Sequence, residues 1–116
     1  MSTAVIASHT DAPALRARLE ALGWDTVVAP EDAVWDRADD CEADLVVTEV
    51  DDRDWRERLR RAHQAMDSHL GLKVVFVAER YPEGFATQGE NGDQSIPLVR
   101  IPCPSGALEQ SIAAAS

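Results

Sequence analysis

The chain has 116 residues, enough for one compact domain built around one hydrophobic core. Basic residues number 11 against 21 acidic ones, a net charge of -10, so the surface repels a phosphate backbone and excludes direct nucleic-acid binding as the main role. No apolar run approaches the roughly 18 residues of a membrane span, and MSTAVIASHT lacks the basic segment and long apolar stretch of a signal peptide, so a cytoplasmic protein is expected.

Ala4–Ser8 is a short apolar run suited to a buried first strand. Thr10 or Asp11 offers a helix cap, and Pro13 fits the first turn of a helix carrying Leu15, Leu19 and Leu22 at helical spacing, stopped by Gly23. A second strand is expected over Asp25–Ala29. Pro30, Glu31 and Asp32 then open a short helix with Val34, Trp35 and Ala38 facing inward. Leu45–Val50 reads as a third strand. From Asp52 to Ser68 the spacing of Trp55, Leu59, Ala62 and Met66 predicts a third helix. Lys73–Ala78 is a fourth strand, and residues 79–95, broken by Pro82, Gly84, Gly89 and Gly92, leave a shortened or irregular fourth helix. Ile96–Ile101 reads as a fifth strand despite Pro97, and Ser105 caps a last helix with Leu108 and Ile112.

This alternation predicts an α/β protein: a doubly wound, five-stranded parallel sheet in a flavodoxin-like three-layer sandwich, with residues 1–116 forming a single domain. Aromatics are 5% of the chain, so its core must rest on Val, Leu, Ile and Ala.

Charge is concentrated. Residues 31–57 hold twelve acids and three arginines, and so nine of the ten net negative charges. A solvated face is the ordinary reading of such a run; an acidic docking surface or a metal-attracting rim is the functional one. The third helix adds Arg53, Arg56, Arg58, Arg60 and Arg61. Asp52–Arg56 and Glu57–Arg61 have favourable i,i+4 spacing, so a salt-bridged face is expected there, with docking to an acidic partner as the alternative.

Chemistry in such a sheet gathers beyond the carboxyl ends of the strands. GxGxxG, GxxxxGK[ST] and GxSxG are all absent, which argues against phosphate-loop nucleotide binding and an elbow nucleophile. His9, with Asp11 and Glu49, is a candidate base or metal ligand, against the ordinary reading of a helix-start histidine. His63 and His69 lack ligand-pair spacing. Cys41 and Cys103 belong to no CxxC pattern, so free thiols in a reducing compartment are expected; no base near Cys103 in the sequence activates it.

The segments LGWDTVVA (22–29), ADLVVTEVD (43–51), KVVFVAE (73–79) and VRIPCPSGALEQSI (99–112) resemble the receiver domain of bacterial two-component response regulators. The resemblance covers essentially the whole chain and implies a degenerate phosphorylation site. Ser8 and His9 stand where receivers carry a magnesium-binding acidic pair, with Asp11 in partial compensation. Glu49 stands for the phospho-accepting aspartate, Ala78 (or Val77, one position earlier) for the switch hydroxyl, and Ile101 for the lysine before Pro102. It implies a pseudo-receiver in a phosphorelay setting, with no catalysis and no cofactor. Its partner would be a protein, such as a kinase, an output domain or a second copy, met through Arg80, Tyr81, Phe85, Arg100, Pro102 and Leu108. Two alternatives stand beside this reading: a receiver phosphorylated on Asp51 or Asp11, and a small metal-binding enzyme centred on His9, Asp11 and Glu49.

Overall fold

A computed structural model describes residues 2–7, 12–68, 71–80, 96–101, 109–110 and 112. Its elements are β1 (Thr3–Ala7), α1 (Ala12–Ala21), β2 (Asp25–Val28), α2 (Val34–Asp40), β3 (Leu45–Glu49), α3 (Trp55–Ser68), β4 (Lys73–Ala78) and β5 (Leu98–Arg100). A 3-10 turn at Glu31–Ala33 precedes α2, and Glu109, Gln110 and Ile112 are helical.

The five strands form one parallel sheet in the order β2-β1-β3-β4-β5. The chain leaves β1 in one direction to make β2 and then crosses to the other side for β3. That reversal is the topological switch point of a flavodoxin-like sheet, where a crevice opens beyond the strand ends. The α/β class, the parallel sheet and the doubly wound arrangement are as the sequence predicts.

Alternating side chains supply two cores. Val5, Val46, Val74 and Phe76 face α2 and α3, where they meet Val34, Ala38, Trp55, Ala62 and Met66. Ile6, Val47, Val75 and Val77 face the other way, towards Leu15 and Leu19 of α1 and towards Ile112. Strands buried on both faces explain why β1, β3 and β4 read as unbroken apolar runs rather than alternating ones. Burial of each such aliphatic side chain contributes about 1.5–3 kcal/mol.

Several boundaries differ from the sequence expectation. Strand β1 runs from Thr3 to Ala7 rather than from Ala4 to Ser8. Helix α1 ends at Ala21, so Leu22 enters the turn to Gly23 and is 44% exposed instead of joining Leu15 and Leu19. Gly23 takes a φ of +95°, a backbone conformation that side chains rarely adopt. The acids expected to start α2 lie instead in the 3-10 turn before it. Helix α3 begins at Trp55, because Asp51–Asp54 form a turn of their own, and β5 is limited to Leu98–Arg100. Pro97 precedes that strand and accepts a hydrogen bond from Phe76 N–H through its carbonyl. The expected fourth helix and the proline-flanked Cys103 lie outside the described residues.

Candidate functional site

Strand β3 carries apolar residues as far as Val47, then Thr48 and Glu49, both buried. Register pairing sets Glu49 beside Val77, and the chain continues as Val50, whose N–H donates to the Val77 carbonyl at 2.9 Å. Beyond this edge lies a cleft of about 250 Å³. Among the described residues, Glu31, Glu49, Asp51, Asp52, Asp54 and Glu79 line it, with Arg80 the one cation in its wall. Glu49 is 6% exposed, so the side chain expected to replace the phospho-accepting aspartate is at the cleft but mostly buried.

The other acids are not equivalent. Asp51 Oδ1 accepts from the N–H groups of Arg53 at 2.8 Å and Asp54 at 3.0 Å, while Asp51 N–H donates to Asp54 Oδ1 at 3.0 Å. The reciprocal pair at a three-residue spacing works like a capping box and fixes the turn that launches α3. Burial pushes the Asp51 carboxyl up, but the two donated N–H bonds, with help from Asp54 and the nearby Arg53 charge, hold it below the usual carboxylate range.

Arg58, whose side chain is 15% exposed, donates from Nε to Asp54 Oδ2 at 2.8 Å and from a terminal nitrogen to Glu31 Oε2 at 3.0 Å. It ties α3 to the turn before α2 and neutralises part of the cleft wall. Glu57 pairs with Arg60 rather than with the expected Arg61. Arg56 stacks over the Trp55 ring, 4.6 Å from its centroid. The expected docking face for an acidic partner is thereby reduced, since Arg58 and Arg60 are committed to acids of the chain itself.

The two remaining described positions of the expected site are apolar. Ala78 is buried at the end of β4, and Ile101, 5% exposed, follows β5 and packs in the α1-side core with Val99 and Ile112. Arg80 and Arg100 are exposed, and a guanidinium nitrogen of Arg100 donates to the Glu79 carbonyl at 3.5 Å. The structure therefore gathers Glu49, Ala78, Ile101, Arg80 and Arg100 at the carboxyl edge of β3, β4 and β5. Ser8, His9, Asp11, Tyr81, Phe85, Pro102 and Leu108 lie outside the described residues. Among the described residues, no three acidic, His or Cys side chains converge as a metal-ligand set. Cys41 is a free, half-buried thiol.

Two solved structures share this architecture. A response regulator protein from Burkholderia multivorans superposes with a TM-score of 0.68 at 20% identity, covering 97% of this chain and 93% of that one. The response regulator StyR superposes with a TM-score of 0.59 at 14% identity, covering 98% of this chain and 58% of that one. The fold is that of receiver domains. Neither a family model nor a curated protein matches the sequence. Identities this low carry the backbone arrangement and leave the chemistry to be argued from the side chains. Among the described residues, no helix is long and apolar enough to cross a membrane.

Proposed function

We propose that the chain is a non-catalytic signalling module, a pseudo-receiver of the cytoplasm that binds a protein partner and is not phosphorylated in the usual way. The observation that carries this reading is Ile101, buried against Val99 and Ile112 where the receiver resemblance calls for a cation. Aspartyl phosphorylation gathers negative charge on the transferred group and needs a cation and a divalent metal to hold it. An isoleucine supplies neither charge nor a donor.

The surroundings point the same way. Among the described residues, six carboxylates and one arginine line the cleft, a field that repels a phosphoryl donor. Asp51, one of the two acids on which an unconventional phosphorylation would fall, accepts two backbone N–H groups and holds the start of α3. Ala78 has no hydroxyl to bond a phosphate and couple it to movement of the neighbouring surface. The reading assigns signalling to contact with a partner, a kinase or an output domain, with Arg80 and Arg100 on the exposed edge as candidate contacts.

The test is a titration of the isotope-labelled chain with magnesium and beryllofluoride, followed through the amides of Glu49, Val77 and Ile101. No saturable shift is expected. Saturable shifts centred on Glu49 would show a working phosphate site and overturn the reading.

A further inference from the structure

On the α2–α3 side of the sheet lie two hollows, of about 330 Å³ and about 170 Å³, the smaller sharing Glu31 and Asp54 with the cleft beyond the strand ends. Trp35 and Arg61 belong to the walls of both, and the larger hollow, which shares no described wall residue with the cleft beside Glu49, is a groove between α2 and α3. Trp35 is half-buried: part of its ring packs on the core that Val34 and Ala38 help to build, and the rest faces the groove.

The two walls differ in charge. The α2 wall presents Asp36 and Asp39, both exposed, and the α3 wall presents Arg61. The neighbouring Arg58 and Arg60 are paired with Asp54, Glu31 and Glu57. Exposed Asp36 therefore places a negative charge on the α2 rim of the groove, facing Arg61 on the α3 rim. A large aromatic ring in a concavity, rimmed by fixed charge, has the make-up of an interface hot spot, with the charges steering approach and fixing register.

We propose that this groove docks a basic amphipathic segment of a partner protein. An apolar side chain of the segment seats against Trp35, a Lys or Arg meets Asp36, and an acid of the segment meets Arg61. Charge decides the occupant: an acidic segment, a nucleic acid or a second copy of a chain with net charge -10 would be repelled. The inference rests on the reading of the chain as a binding module and is independent of whether Glu49 is modified.

The isotope-labelled full chain tests this, titrated with a synthetic helical peptide that carries Leu at i, i+3, i+4 and i+7 and Lys between them. A scrambled peptide of the same composition is the control, and no phosphoryl donor is present, so a failure here is separate from a failure of the proposed function. The indole N–H of Trp35 and the amides of Asp36 and Arg61 should shift saturably. Affinity should fall about tenfold in Trp35→Ala and in Asp36→Lys. Asp36 is exposed, so its variant reports binding even if Trp35→Ala unfolds. Asp25→Lys, a charge reversal in a separate hollow beside Trp24, should leave affinity within about twofold. Equal binding of the scrambled peptide, equal losses in Asp36→Lys and Asp25→Lys, or shifts centred elsewhere would overturn the proposal. So would concentration-dependent shifts of Trp35 without peptide, which would assign the groove to a second copy.

Discussion

The backbone N–H of Ile101 donates to the carbonyl of Ala78 at 2.9 Å, while the two side chains turn to opposite faces of the sheet, Ala78 to the α2–α3 core and Ile101 to the α1 core. The pair that the receiver resemblance equates with a switch hydroxyl and a lysine is thus joined through the main chain, and both side chains are spent on packing. Ile101→Ala should accordingly cost about 2 kcal/mol or more, as core truncations do. Urea unfolding measures this; a cost within about 0.5 kcal/mol would show that the position is a surface one.

Thr48 is fully buried, and its hydroxyl has no hydrogen-bond partner among the described residues. An unpaired buried hydroxyl costs about 1–3 kcal/mol of desolvation. Thr48→Val keeps the shape and removes that cost, so the unfolding midpoint in urea should rise by the equivalent of about 1 kcal/mol. A lowered midpoint would show that the hydroxyl is paired.

Arg58 holds two acids at once, Asp54 on its own helix and Glu31 across the α2–α3 gap. Its removal leaves both carboxylates in an already acidic wall. Arg58→Ala should lower stability by about 1–2 kcal/mol, with the loss shrinking as salt rises, since both partners are partly exposed. Arg61→Ala, which breaks no ion pair of the described chain, is the comparison and should change stability by less than about 0.5 kcal/mol.

Asp51 gives a pH dependence of definite sign. Its folded carboxyl titrates below the ordinary value of 3.8, so the stabilisation it provides is complete above that value and is lost as pH falls through the lower, folded one. At neutral pH Asp51→Ala should be less stable than the parent by about 1 kcal/mol, the usual loss for a helix-start cap. That gap should narrow steadily below about pH 4. A gap that stays constant to the acid limit would mean that the charge of Asp51 contributes nothing.

How far the sequence exposes the structure depends on how local each signal is. Strand β4 is bounded as expected, because KVVFVA is apolar throughout and a glycine turn sets it off. The parallel order followed from the alternation of strands and helices. Leu22 misled because it continues the spacing of Leu15 and Leu19 one turn too far, and nothing in that spacing shows the helix stopping at Ala21. The third helix misled for another reason. Arginines crowded at 53, 56, 58, 60 and 61 can reach several acids, and spacing alone favoured Asp52–Arg56 over the link from Arg58 to Glu31, which is 27 residues away. The reciprocal Asp51–Asp54 pair carried a signal in its three-residue spacing, hidden within a run of acids. The groove at Trp35 depends on how far apart two helices stand, which no local pattern encodes.

On the proposed reading, the cleft beside Glu49 does not retain a phosphoryl group. Incubation of the intact chain with acetyl phosphate and magnesium, followed by intact-mass spectrometry, tests it most directly. The mass should be unchanged. A species heavier by one phosphoryl group, mapped to Glu49 or Asp51, would contradict the account.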